Sequence, residues 1–367
     1  MFIIIDTRDM KVTLDKLTFF NNTGGLYKTN MPEMPEKYRY PDKIAIPDFG
    51  LSLANFPNVS FRGKNEGQVL LRCVDTINCA YSGKPMISQN NLAKAFSKLI
   101  KTYDADSAIK VLNGYTKYMY DVESQVFEIL KSARNKDKRN FSDILSEYAP
   151  ASLQRLRVKQ RKVLAEIRPQ IEHLSPELKE RADIILDDLF VRVNDGTFNR
   201  RYPAEQFSTL KGNGADNEVL SEINRICYQL PRSSKDLDAF IVRYSKSSHD
   251  AIARRLLSPA AATIEHIIPQ SKNGADDMSN FLLVSAQFNN DRHDLPLDEF
   301  IILNSDIDIP AHLQEYMDTV VSEVMRKNSP FSSKKWYPRA IQRTLMQESS
   351  GQVALDMGVL NNSKKHV

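Results

Sequence analysis

The sequence predicts an α+β fold that is mostly helical. Three observations carry that reading. Residues 88–250 space apolar side chains three and four apart, as amphipathic helices do. Residues 263–296, TIEHIIPQSKNGADDMSNFLLVSAQFNNDRHDLP, hold two short apolar runs, a polar loop between them and a helix-like end. The first seventy residues mix short apolar runs with turn formers, which predicts a small strand-rich region.

The elements follow in order. MFIIID opens on a five-residue apolar run closed by Asp6. It reads as a strand and is far too short for a signal peptide or a membrane span. NNTGG (21–25) and the stretch 31–50, with Pro32, Pro35, Pro41 and Pro47, predict turns and extended connections. QVLLRCVDTI (68–77) fits a strand or a helix equally. SQNNLAKAFSKLIKTY offers Ser88 as a cap and sets Leu92, Phe96, Leu99 and Ile100 on one face. Leu153, Leu156, Gln160, Val163, Ile167, Ile171 and Leu174 mark a long helix with a kink expected at Pro169. Ser175-Pro176 starts the next helix. Residues 196–218 read as a loop or small insertion, and NEVLSEINRICYQL and SKDLDAFIVRYS as further helices. Beyond 296 come another helical segment, a short helix and a tail.

The chain of 367 residues is 41% hydrophobic and 26% charged, an ordinary globular composition with room for two or three domains. Three cysteines, Cys73, Cys79 and Cys227, are too few and scattered for a disulfide framework. Reduced thiols in a cytoplasmic protein are expected, with no membrane association. A net charge of +4 permits nucleic-acid binding without demonstrating it.

The stretch 263–296 concentrates the chemistry. Strand, loop, strand and helix in so few residues would set Glu265 and His266 opposite the helix. On that helix Asn289 and His293 are four apart, hence expected on one face, with Arg292 near the same side. A carboxylate, an amide oxygen and an imidazole can then converge on one ion. Two hard oxygen donors suit Mg²⁺ or Mn²⁺ better than Zn²⁺. His266 points to the other side of an ideal strand and is free to act as a base.

These residues resemble the HNH (His-Me finger, ββα-metal) endonuclease family. The pattern is Glu265-His266-Ile267-Ile268-Pro269, then Asn280 and Asn289 at intervals of 14 and 9, with Arg292 and Pro296 downstream. His293 is placed as in the nuclease colicins, and EHIIPQS is similar to the HNH domain of CRISPR RNA-guided nucleases. The resemblance implies metal-assisted phosphodiester hydrolysis. His266 would be the general base, and Glu265, Asn289 and His293 would hold one Mg²⁺ or Mn²⁺. Asn280, counted with the catalytic set, would fix the loop, and Arg292 would contact phosphate.

Many members begin with Cys-x-x-Cys-Gly upstream, and CAYSGKPM (79–86) is similar, with Ser82 in place of the second Cys. The expected organisation is therefore split: 71–87 as the first part of the nuclease domain, 88–250 as a helical, partly basic insertion, 251–300 as the ββα core, and 301–367 as a C-terminal helical region. Ser285 and Phe288 stand at the downstream knuckle positions, so no structural zinc is expected.

Residues 131–170 hold eleven Lys and Arg against four acids. Arg155, Lys159, Arg161 and Lys162 are read as a surface that tracks phosphates. Trp336 and Tyr337, in a basic setting, are a second candidate for nucleic-acid contact. The expected function is DNA cleavage or nicking, with RNA still open as a substrate. The alternatives are an effector subunit joined to an ATPase in anti-phage defence, docking through the helical region, and a derived module that binds without cutting.

Overall fold

The computed structural model describes residues 2–3, 19–20, 64–133 and 139–356. The expectations for 21–25, 31–50 and the tail after 356 lie outside the described residues. Near the N-terminus, β1 (Phe2–Ile3) pairs antiparallel with β2 (Phe19–Phe20). No described helix is long and apolar enough to cross a membrane.

The remainder is mostly helical. The ambiguous stretch 68–77 is the end of α1 (Lys64–Leu71) followed by turns. Ser88 caps α2 (Gln89–Leu99) through a bond from the Asn91 N–H, and Asp104 caps α3 (Ala105–Leu112). After α4 (Asp121–Ala133) comes α5 (Phe141–Ile171). It begins earlier than the apolar spacing indicated, because Asn140 and Asp143 form a reciprocal capping box. Both Pro150 and Pro169 stay inside it. Then α6 (Pro176–Asp195) starts on its proline and ends at Gly196, whose φ of 75° supplies the left-handed turn.

The stretch 196–218 is more ordered than a loop. It contains α7 (Arg201–Phe207) and the start of α8 (Gly214–Tyr228). Pro203 is compatible with α7 because it lies in the first turn, where no intrahelical N–H bond is lost. Next come α9 (Leu237–Tyr244) and α10 (His249–Arg255).

The apolar interior divides inside the region expected as one helical insertion. The later half of α5 packs with α6, α7 and α8 through Leu164, Ile171, Leu186, Phe207 and Ile223. In contrast, α2–α4, the start of α5, α9 and α10 share a second core with 262–288 and the C-terminal helices. Only residues from about 164 to 230 thus form a core of their own.

The stretch 263–296 folds as strand, loop, strand and helix: β3 (Ala262–His266), β4 (Phe281–Ser285) and α11 (Ala286–Arg292). The strands pair antiparallel, with Glu265 opposite Leu282 and His266 opposite Phe281. A two-stranded ribbon is marginal alone. Here every β4 residue is buried, under α12 (Leu297–Leu303), α13 (Ile309–Met325) and α14 (Tyr337–Glu348). The free edge of β4 is also satisfied. Tyr337 donates its hydroxyl to the Phe281 carbonyl at 2.9 Å, the Leu283 N–H reaches the Tyr316 hydroxyl at 3.2 Å, and the Ala80 N–H reaches the Leu283 carbonyl at 3.1 Å. Tyr337 is therefore core and not a nucleic-acid contact, whereas Trp336 is 45% exposed.

Candidate functional site

Neighbouring residues on a strand face opposite ways. At the end of β3 this turns Glu265 inward, 4% exposed, toward α11. His266 turns the other way, edge-on to Phe281 with ring centres 4.9 Å apart.

His266 Nε2 lies 3.2 Å from Asp276 Oδ1. A carboxylate can only accept, so Nε2 carries the hydrogen and Nδ1 keeps its lone pair. No described residue bonds Nδ1. Burial holds the imidazole below its usual pKa, while Asp276 pulls it up. The ring is therefore neutral near pH 7 with one nitrogen open, as a general base requires. Sequence reading missed Asp276. The only signal was an acid in the loop ten residues after the histidine.

That loop is held by Asn280, which is 2% exposed. Its Oδ1 accepts from the Ile268 N–H at 2.7 Å, and its Nδ2 donates to the carbonyls of Ile268 and Ala275 at 2.9 Å each. All its bonds go to backbone, so Asn280 is a staple with no atom offered to a substrate. Gly274 completes the loop: a Cβ there would fall 1.8 Å from the Ile268 carbonyl oxygen.

Across the strand, Asn289 Nδ2 donates to Thr263 Oγ1 at 3.1 Å and to the Ile264 carbonyl at 3.0 Å. The amide is thereby oriented, and its Oδ1 has no partner among the described residues. Glu265, His266, Asn289 and His293 line one open cleft of about 270 Å³, together with Gln270 and Asp294.

His293 does not continue the helical face of Asn289. It terminates α11 at φ 51°, its side chain is 79% exposed, and Nδ1 lies 3.3 Å from Asp294. The expectation of four-residue helical spacing fails because the helix stops at Arg292.

Arg292 is the larger correction. It was expected at the surface on a phosphate, yet it is fully buried. Four residues after Phe288, it shares that side chain's inward face. One Nη1 lies 2.7 Å from Glu265 Oε1, 2.7 Å from the His266 carbonyl and 3.1 Å from the Tyr81 hydroxyl, and Nη2 donates to the Ile267 carbonyl. Arg292 therefore secures the end of β3 and holds Glu265. Burial pushes the Glu265 carboxyl up, to about 8, against the pull of this guanidinium.

Residues 79–87 lie against this unit. The Ser285 N–H reaches Cys79 Sγ at 3.3 Å, and Ile87 forms a parallel bridge with Ala261. Cys79, Ser82, Ser285 and Phe288, the positions expected to correspond to a zinc knuckle, gather round Tyr120. Its hydroxyl donates to Ser285 Oγ at 2.8 Å and lies 3.3 Å from Ser82 Oγ, and its ring is 5.9 Å from that of Phe288. A phenol from the helical region thus links the two segments. Nothing in the sequence singled out Tyr120.

The basic face of α5 is largely committed elsewhere. Arg155 Nη2 and Lys159 Nζ reach Asp238 at 2.7 and 2.9 Å, and Lys159 also meets Asp236 at 2.5 Å. Arg161 donates to Asn194. A count of charges along 131–170 cannot see these acids at the start of α9. Arg155 and Lys159 brace α5 on α9 and are not a free phosphate track. Lys162 is exposed.

Among the described residues no three His, Cys, Asp or Glu side chains cluster as a ready cation cage. The donors at the cleft still suit a hard cation. Asn289 offers an oriented oxygen, Glu265 a carboxylate, and Mg²⁺ commonly keeps several waters beside one or two protein oxygens.

No curated protein and no solved structure matches the chain. Residues 243–295, which contain β3, the loop, β4 and the whole of α11, match the family model described as HNH endonuclease.

Proposed function

We propose that the chain is an endonuclease that hydrolyses phosphodiester bonds of DNA with the aid of Mg²⁺ or Mn²⁺. The observation that supports it most is the His266 imidazole, anchored through Nε2 on Asp276 with Nδ1 unbonded, in a residue that lines the same cleft as Asn289 and Glu265. In this reading Nδ1 takes a proton from water, the water oxygen attacks phosphorus, and the bond to the 3′ oxygen breaks. A divalent cation held by Glu265 and Asn289, with His293 able to approach from its exposed turn, supplies charge stabilisation for the phosphate and the leaving oxygen. Asn280 and Arg292 act by holding the loop and the strand end. Residues 71–87 and 251–300 are read as two halves of one nuclease domain, with the intervening helices inserted between them.

The test is cleavage of supercoiled plasmid by the purified chain with Mg²⁺, with Mn²⁺ and with chelator, for wild type and His266→Ala. Cation-dependent nicking that is lost in the variant is expected. Cleavage that persists in His266→Ala would overturn the mechanism. DNA binding with no turnover under either cation would favour a module that binds without cutting.

A further inference from the structure

A second concavity lies between α2, α3 and the 3-10 turn Asn113–Tyr118, with a volume of about 600 Å³. Asn91, Lys98, Lys110, Tyr115, Lys117 and Tyr118 line it, and no carboxylate does. The three lysines are exposed, and none forms an ion pair among the described residues. The Tyr115 and Tyr118 rings are 6.4 Å apart and tilted by 39°, and Lys117 Nζ sits 4.8 Å over the Tyr118 ring.

Three lysines without a carboxylate partner around a hollow lined by two tyrosines suit a polyanion that carries planar rings. Lysines on the backbone and bases stacked on tyrosine form the general mode of single-strand binding. The position fits as well. Ile87 lines the hollow, and its backbone bridges Ala261 at the entry to β3. From Ala261 to His266 the chain advances five residues, about 16 Å along a strand.

We propose that this hollow is a binding subsite for a single-stranded flank of the nucleic-acid substrate, with Lys98, Lys110 and Lys117 on phosphates and Tyr115 and Tyr118 against bases. This rests on the nuclease reading of the His266 cleft. It gives the substrate a second point of attachment, away from the reacting phosphate.

The experiment is fluorescence anisotropy of a labelled single-stranded DNA oligonucleotide on the full-length chain, in chelator, over a range of salt. The triple variant Lys98→Ala, Lys110→Ala, Lys117→Ala changes only exposed side chains. It should lower affinity tenfold or more near physiological salt, and should flatten the log–log salt slope by about 2, from about 0.7 per phosphate contact. The control, Lys94→Ala with Lys101→Ala, removes exposed lysines outside the hollow and should do neither. Equal losses in both variants, or no loss in the triple variant, overturn the subsite while leaving the nuclease reading intact. If wild type binds and the triple variant fails, yet neither cuts with any cation, the subsite stands and the nuclease reading falls.

Discussion

Replacing Asp276 by Asn keeps the side chain's size and removes its charge. In the resting state the loss is small, because the imidazole is neutral. During proton transfer the ring becomes imidazolium, and the bond at 3.2 Å becomes an ion pair. A hydrogen bond to a charged group contributes about 1.5–3 kcal/mol. The two side chains are 17% and 27% exposed, so the lower end applies. About 1.5–2 kcal/mol corresponds to a rate loss of about 10- to 30-fold. The loss should fall on the single-turnover rate and leave substrate affinity unchanged. The pH profile supplies a second readout. Asp276 raises the His266 pKa against burial. Without it that pKa falls further, so the acid limb of the cleavage rate moves to lower pH while the plateau drops. Plasmid nicking under single-turnover conditions across pH measures both. A plateau near the wild-type rate with an unmoved limb would refute Asp276 as the positioning partner. Loss of Mn²⁺ binding in the variant would mean that Asp276 serves the cation instead.

Three further outcomes are expected. Asn280→Ala removes three buried hydrogen bonds and should cost about 2–4 kcal/mol by denaturant unfolding. Arg292→Met removes the buried bonds to Glu265, Tyr81 and the carbonyls of His266 and Ile267 and should cost about 3–5 kcal/mol, as a shift in thermal midpoint will show. Protons compete with a cation for Glu265, whose carboxyl is protonated below about 8. Apparent Mn²⁺ affinity, measured calorimetrically, should therefore rise with pH, about tenfold per unit, and level off near 8. Pre-ionisation of Glu265 throughout would appear as a flat profile.

The finger was legible because its signals are local. The apolar runs of β3 and β4, the Gly loop and the spacing from His266 to Asn280 and Asn289 lie within 34 residues. The long helix α5 and the start of α6 were legible for the same reason. What escaped the sequence depends on contacts between distant segments. Arg292 looked like a surface cation because periodicity cannot rank a charged residue against the Glu265 and Tyr81 that receive it. Arg155 and Lys159 looked free because Asp236 and Asp238 lie some 80 residues on. The boundary between the two cores was hidden inside α5, which is one uninterrupted helix in both. His293 was misplaced by a single residue of helix length, the scale at which helix ends are hardest to locate.

The central claim separates the base from the cation: His266 moves the proton, and Glu265 and Asn289 hold the metal. Mn²⁺ binding and single-turnover plasmid cleavage measured side by side on wild type and His266→Ala test that separation most directly. The account predicts unchanged Mn²⁺ affinity with cleavage reduced about 10²- to 10⁴-fold. Retained cleavage, or cleavage and Mn²⁺ binding lost together, would contradict it.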